Sequence, residues 1–171
     1  GGLEGRVVLV TGAARGVGRA IALACAAAGA SLVLADILAE AGAETAHAIA
    51  AAGARARFVA VDLADPASIA ALGADIEARE WRLHGLVNNA AIATNVGGAL
   101  FPDIPIDLWD RVMSVNVRGT WLVTRAALPL LEAGGAGRIV NIASDTALWG
   151  APRLLAYVAS KGAVMAMTRS L

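Results

Sequence analysis

Tyr157 and Lys161 are the only tyrosine and the only lysine in the chain, and they stand four residues apart in Tyr157-Val158-Ala159-Ser160-Lys161. On a helix, positions i and i+4 lie one above the other on the same face. An ammonium held there stabilises a phenolate, and so helps a tyrosine that must give and take a proton near neutral pH. The same spacing also suits an exposed lysine whose stem packs along an aromatic ring, a common pair on helix surfaces. The pair alone leaves both readings open.

A second constellation sits near the amino terminus, in Thr11-Gly12-Ala13-Ala14-Arg15-Gly16-Val17-Gly18. Glycines at this spacing let a backbone turn tightly and approach a pyrophosphate, which the amino end of a following helix attracts. The order is Gly-x-x-x-Gly-x-Gly, not the Gly-x-Gly-x-x-Gly of many dinucleotide sites. Such a turn can also be purely structural. Its place between an apolar run and an alanine-rich stretch favours phosphate binding.

Asp36 follows the apolar run Leu32-Val33-Leu34. An acidic side chain at such a strand end can accept hydrogen bonds from ribose hydroxyls of adenosine. A phosphate on that ribose would meet carboxylate repulsion, and Ile37 brings no positive charge to replace the contact. Arg15 is a cation able to reach such a phosphate from the glycine loop. The balance points to NAD over NADP. An N-cap role for Asp36 is compatible with the same position.

These residues need a frame, and the sequence describes one. Short apolar runs at Val7–Val10, Leu32–Leu34, Phe58–Val61, Leu86–Val87 and Ile139–Ile142 read as strands, the first of them continuous enough for a strand buried on both faces. Helical stretches separate them: Val17–Ala28 stopped by Gly29, Ala39–Ala52 stopped by Gly53, and one running to about Glu80 from the N-cap and first-turn proline Asp65-Pro66. A loop with Gly97, Gly98, Pro102 and Pro105 follows the fourth strand. One helix is expected from Asp107 to Glu132, with Gly119 inside it, and a last one from Leu155 to Leu171. Strand and helix in alternation give a parallel α/β sheet with helices on both faces, in a single domain over 1–171. Ligands of such sheets bind beyond the carboxyl ends of the strands, where both constellations fall.

Composition bounds the partners. Of 171 residues, 58% are apolar and 16% charged, and 14 basic residues balance 14 acidic ones. This is a globular profile with no basic run for nucleic acid. The apolar stretch Ala20–Ala35 is interrupted by Gly29 and Ser31 and is too short for a membrane span. It follows Arg15 and Arg19 without a signal-peptide pattern. Cys25 is the only cysteine, and His47 and His84 lack ligand spacing, so neither a disulfide nor a protein-bound metal is expected. The expectation is a cytoplasmic protein.

Taken together, the motifs resemble the short-chain dehydrogenase/reductase family. Thr11–Gly18 is similar to its cofactor motif. Asp62 stands at the end of the third strand, where members contact adenine. Asn88-Asn89-Ala90-Ala91 is similar to its Asn-Asn-Ala-Gly motif, with Ala91 in place of the glycine. Asn116 lies in Ser114-Val115-Asn116-Val117-Arg118-Gly119, similar to the helix segment with the family's active-site asparagine. Ser144 precedes Tyr157 by 13 residues, the family spacing. The resemblance runs from about Leu3 to Leu171 and favours a catalytic Tyr157–Lys161 pair.

The resemblance implies a doubly wound Rossmann-type fold and catalytic residues Asn116, Ser144, Tyr157 and Lys161. Tyr157 would be the acid in carbonyl reduction and the base in alcohol oxidation. Lys161 would favour its phenolate and hydrogen-bond the nicotinamide ribose. Ser144 would donate to the substrate oxygen. Asn116 would hold a water through its backbone carbonyl, on a proton path from Lys161. As isolated residues, Ser144 could instead cap the turn after the fifth strand, and Asn116 could only break a helix. Cofactor contacts are implied at Gly12, Arg15, Gly16, Val17, Gly18, Asp36, Asp62, Leu63, Asn89, Ala90 and Ala91, besides Tyr157 and Lys161.

Ile92, Ala93 and Thr94 are expected to flank the substrate on one side, and Ser144, Asp145, Thr146 and Trp149 on the other. Leu148, Trp149 and Leu154 suggest an apolar or ring-containing substrate. Members of the family pair two helices with their copies. Here that implies a homodimer or homotetramer through Trp121, Leu122 and Ala126 and through Ala163, Met165, Ala166 and Met167. Members also continue with further strands beyond the last helix, so a fragment of a longer protein is expected, with the fifth strand at an open sheet edge. The favoured function is an NAD-dependent oxidoreductase of secondary alcohols and ketones. An NADPH-dependent 3-oxoacyl-thioester reductase is the alternative enzyme, and a non-catalytic nucleotide-binding module the alternative of another class.

Overall fold

Five parallel strands in the order β3-β2-β1-β4-β5 make the sheet. A computed structural model describes residues 2–171 of the chain. The strands are β1 (Val7–Thr11), β2 (Ser31–Asp36), β3 (Ala56–Ala60), β4 (Gly85–Asn88) and β5 (Arg138–Asn141). Between and after them run helices α1 (Gly16–Ala27), α2 (Ala39–Ala51), α3 (Pro66–Arg79), α4 (Ile106–Met113), α5 (Thr120–Ala133), α6 (Thr146–Trp149) and α7 (Leu155–Ser170). Strand order reverses at β1, which pairs with β2 on one side and β4 on the other. Chain direction therefore opens a crevice beyond Thr11, where such sheets bind ligands.

Alternation along β1 shows why the runs are apolar throughout. Val8 and Val10 pack with Leu32, Leu34, Ala22 and Ile49 on the α1–α2 face. Leu9 packs with Leu86, Leu72, Ile76, Val123 and Leu130 on the α3–α5 face. A strand covered on both sides needs apolar residues at every position. Val96, Val112 and Ala156 form a smaller cluster, with Ile92, Leu108, Trp109, Leu154 and Tyr157 against it. Among the described residues no helix is long and apolar enough to cross a membrane. No described group of three or more His, Cys, Asp or Glu could hold a metal ion.

Strand ends differ from the sequence expectation wherever a strand carries polar residues. β3 begins at Ala56 and ends at Ala60, so it includes Arg57 and excludes Val61. Arg57 belongs there because its guanidinium grips Glu80 through Nε at 2.7 Å and Nη2 at 2.6 Å, and also binds Asp75. Asp62 stands two residues past β3 instead of ending it. β5 takes in Arg138 and stops at Asn141. It lies at the edge of the sheet, with Val140 51% exposed.

The expected helix from Asp107 to Glu132 is interrupted. Residues Ser114–Gly119 form a π-helical segment between α4 and α5. Such segments mark places where a side chain intrudes on regular bonding. Here Asn116 turns inward, fully buried, toward partners distant in sequence.

Candidate active site

The glycine loop closes on the end of β4. Gly12 has φ +66°, and a Cβ there would stand 2.7 Å from Asn89 Nδ2 and 2.8 Å from Ala90 Cα. A Cβ on Gly18 would stand 2.0 Å from the Gly12 carbonyl oxygen. Neither position admits a side chain. Asn89 Nδ2 donates to the carbonyls of Thr11 and Gly12, and the Thr11 hydroxyl accepts from the amides of Asn89 and Ala90. A Cβ on Gly16, by contrast, would meet nothing within 4 Å. Arg15 caps α1 with no side-chain hydrogen bond, and no acidic residue stands in the first turn. The first turn thus carries neither a side-chain cap nor an acidic residue, a setting that favours an anion. These features fit a dinucleotide diphosphate.

Asp36 is buried at 8% exposure. Its Oδ2 accepts from the Ala14 amide at 2.9 Å and its Oδ1 from the Leu38 amide at 3.0 Å. Leu38, not Asp36, is the N-cap of α2, so the helix-cap alternative for Asp36 does not hold. Asp62 likewise uses one oxygen locally, accepting from the Ala64 amide at 2.8 Å.

One cleft of about 630 Å³ lies over these strand ends. It brings together Gly12, Arg15, Gly16, Asp36, Asp62, Leu63, Asn89, Ala90 and Ala91 of the expected cofactor set, with Ile92, Ala93 and Thr94 of the expected substrate set. Val17, Gly18, Asn116, Ser144, Asp145, Thr146, Trp149, Tyr157 and Lys161 do not line it. The substrate residues are therefore divided between the cleft and the β5–α7 side.

On that side Lys161 is buried at 4% exposure, which excludes the exposed-lysine alternative. Its Nζ donates to the Ile142 carbonyl at 2.6 Å and lies 5.8 Å from the centre of the Tyr157 ring. Burial holds the ammonium below the usual lysine pKa range. Ser144 follows β5, and its hydroxyl shares a hydrogen bond of 2.8 Å with Thr146 Oγ1 and accepts from the Thr146 amide at 3.3 Å. It does cap the turn into α6, as one alternative had it. Asp145 Oδ2 accepts from Trp149 Nε1 at 3.5 Å, and Trp149 is 61% exposed.

Asn116 does more than interrupt a helix. Its Oδ1 accepts from the Ile92 amide at 2.7 Å, and its Nδ2 donates to the Ile92 carbonyl at 3.1 Å and to Ser160 Oγ at 3.0 Å. Its backbone carbonyl accepts from the Thr120 hydroxyl at 2.8 Å.

Several lining residues escaped the sequence reading, Leu38, Val61 and Ala64 among them. Arg111 and Val115 line the cleft from α4 and the π segment. An exposed arginine within a helix carries no local signal of that position. Asn88 is buried, with Nδ2 donating to Thr124 Oγ1 at 2.9 Å and Asn141 Oδ1 at 2.8 Å, while its own Oδ1 has no partner among the described residues.

Known proteins resemble this chain in sequence and in fold. A 2-(S)-hydroxypropyl-CoM dehydrogenase 3 of Xanthobacter autotrophicus is 37% identical over 169 residues, covering 99% of this chain and 65% of the relative. The chain thus spans just under two thirds of that relative's length. A short chain dehydrogenase of Shigella flexneri complexed with NADP superposes with a TM-score of 0.92 at 31% identity, covering 99% of this chain and 71% of that one. An NAD+-bound xylitol dehydrogenase superposes with a TM-score of 0.92 at 32% identity, covering 98% and 64%. The short chain dehydrogenase family model matches residues 6–171. With that match, the parallel sheet and the ordered motifs, the chain belongs to the short chain dehydrogenase family.

Proposed function

We propose that the protein carrying this chain is an oxidoreductase that moves a hydride between NAD(H) and a secondary alcohol or ketone. The observation that carries this reading is the burial of Lys161. Its ammonium sits one turn from Tyr157, bonded to a neutral carbonyl, with no carboxylate partner among the described residues. An unpaired buried charge weakens a fold, so its presence beside a phenol argues for chemistry.

Arg15, Gly16 and the amide groups opening α1 would hold the diphosphate, and Asp36 the adenosine ribose. When bound, the nicotinamide gives or takes the hydride. Tyr157 gives a proton to the carbonyl oxygen in reduction and takes it from the hydroxyl in oxidation. Lys161 makes the phenolate accessible by its nearby charge. Ser144 can accept from Thr146 and would turn its own proton from Asp145 Oδ1, at 3.5 Å, to the substrate oxygen, steadying alkoxide character. The backbone carbonyl of Asn116 would hold a water near Lys161. Leu148 and Trp149, both exposed on α6, support an apolar or ring-containing substrate.

The test is turnover of secondary alcohol and ketone pairs by the intact protein and by Tyr157→Phe. The phenylalanine variant is expected to lose roughly 10²–10⁴-fold in kcat while NADH affinity stays within about twofold. Wild-type protein inert across the panel with both cofactors would remove the reading.

A second reading, an NADPH-dependent reductase of 3-oxoacyl thioesters, draws on Arg15 and Arg111. Both residues line the cleft, and neither guanidinium has a hydrogen bond or ion pair among the described residues. Asp36 also has both oxygens already engaged.

Association as a dimer or tetramer through α5 and α7 is proposed with a changed face. Leu122 is 7% exposed within the α3–α5 core and is closed to a partner, while Ala126 is half-buried beside Gly73 of α3. The outward residues of α5 are Trp121 and Leu128, each 48% exposed, with Arg125 stacked 5.1 Å from the Trp121 ring. Sedimentation of the intact protein as a monomer at micromolar concentration would exclude such a pairing.

A further inference from the structure

We propose that Ser160 is a positioning residue for Tyr157, joining α7 to the π-helical segment through the side chain of Asn116. The inference rests on the reading of Tyr157 as the acid–base group. Ser160 is fully buried, and its hydroxyl is used in both directions. It donates to the Tyr157 carbonyl at 2.7 Å and accepts from Asn116 Nδ2 at 3.0 Å.

A serine bonding back to a carbonyl of its own helix is common and carries no meaning by itself. The other partner sets Ser160 apart. Asn116 lies 44 residues earlier, is 1% exposed, and binds both backbone groups of Ile92 with the rest of its amide. One amide and one hydroxyl therefore tie together the segment after β4, the π-helical turn and α7. The neighbours of Ser160 on α7 are mostly small, with Ala156, Ala159 and Ala163 among them. Packing alone would be met by one more alanine there.

The tie bears on the tyrosine through two routes. Ser160 holds the Tyr157 backbone directly. Ile92, at the far end of the Asn116 amide, packs with Tyr157 against the cluster of Val96, Val112 and Ala156 and also lines the cofactor cleft. Removing the Ser160 hydroxyl leaves one buried amide hydrogen of Asn116 without a partner. Asn116 must then turn or Ile92 must shift, and either change moves the phenol relative to Lys161. Reacting groups are sensitive to displacements well under an ångström.

The experiment compares wild type, Ser160→Ala and Ser160→Cys in the intact protein by two readouts. One is the pH profile of kcat for alcohol oxidation. The other is the alkaline absorbance titration of the Tyr157 phenol, taken as a difference from Tyr157→Phe. Ser160→Ala is expected to lower kcat roughly three- to thirtyfold and leave KM for NAD within about twofold. The acid limb of the profile and the phenolate midpoint should both move to higher pH, because the ammonium no longer sits as close to the ring. Ser160→Cys, similar in size with a weaker donor and acceptor, should fall between. Unchanged kcat, profile and midpoint in a folded Ser160→Ala overturn the inference. If the alanine variant does not fold, a wild-type midpoint in Ser160→Cys overturns it. Wild-type protein without turnover would sink the proposed activity instead, and the phenolate titration would still decide the role of Ser160.

Discussion

The carboxylate of Asp36 accepts the Ala14 amide at 2.9 Å, so the end of β2 is fastened to the glycine loop. The side chain proposed to read the cofactor ribose is thus also part of the loop that reads the diphosphate.

Two substitutions separate those roles. Asp36→Asn keeps an acceptor for Ala14 and removes the charge, and Asp36→Ala removes both. NADH binding should weaken by about 1–3 kcal/mol in Asp36→Ala, the scale of lost charge-assisted hydrogen bonds. Asp36→Asn should improve NADPH binding while holding its melting temperature closer to wild type than Asp36→Ala does. Fluorescence titration with both nucleotides measures this. A wild-type preference for NADPH would transfer cofactor choice to Arg15 and Arg111.

What the sequence disclosed follows from the range of each interaction. β1, α1 and the glycine loop were legible because Val7–Val10 and Gly12, Gly16 and Gly18 are read within a dozen residues. The ends of β3 were not, because Arg57 is kept in the strand by Asp75 and Glu80, which lie 18 and 23 residues away. The π segment was not, because Asn116 is turned inward by Ile92 and Ser160, at separations of 24 and 44. Leu122 failed as an outer-face residue for a related reason. An alanine-rich helix has no sharp polar side, and only the position of α3 shows which way it turns.

Lys161→Met should separate stability from activity. Burial depresses the lysine's pKa below the usual value of about 10.4, so the native state binds fewer protons than the unfolded chain just below that pH. Stability from this group therefore rises as pH climbs through that window, and a cost of burying the charge persists at neutral pH. Methionine removes that cost but leaves the Ile142 carbonyl without its donor. The variant is expected to unfold within about 1 kcal/mol of wild type at pH 7, or to be more stable. Turnover should drop by at least about 10²-fold. Chemical denaturation and steady-state kinetics on one preparation give both numbers. A variant much less stable than wild type would show that Lys161 supports the fold.

Arg57→Met should destabilise the edge of the sheet. The guanidinium binds Glu80 with two hydrogen bonds and Asp75 with a third, and its side chain is 25% exposed. Fork geometry and partial burial place this above an ordinary surface pair, so a loss of about 1–2 kcal/mol is expected. Burial raises the Asp75 pKa, but hydrogen bonds from Arg79 and Arg57 outweigh it and hold the carboxyl below its usual range. That contribution is present above about pH 4 and is lost as pH falls further. The difference between wild type and Arg57→Met should accordingly shrink in acid. Urea melts at pH 7 and pH 3 would show it, and an equal difference at both would remove the charge from the explanation.

His84 gives the middle of the sheet, between β1 and β4, its own pH dependence. Its Nδ1 accepts from the Val7 amide at 2.9 Å while its own amide donates to the Val7 carbonyl at 2.8 Å, closing the start of β1 on the approach to β4. The ring must be neutral at Nδ1 to accept, so protonation breaks that bond. Burial, then the positive charges of Arg6 and Arg82, push the imidazole below its usual pKa. An unfolded chain takes up this proton near pH 6.5, and the folded one only at lower pH. The contribution is therefore complete above about pH 6.5 and is lost as pH falls through the folded value. Its size should be about 0.5–1.5 kcal/mol, one exchanged hydrogen bond, reduced by the ring's partial exposure. His84→Asn, whose side-chain oxygen can accept from Val7 without titrating, should flatten stability between pH 7 and pH 5. If wild type and His84→Asn lose stability in parallel over that interval, the histidine is not the group that titrates.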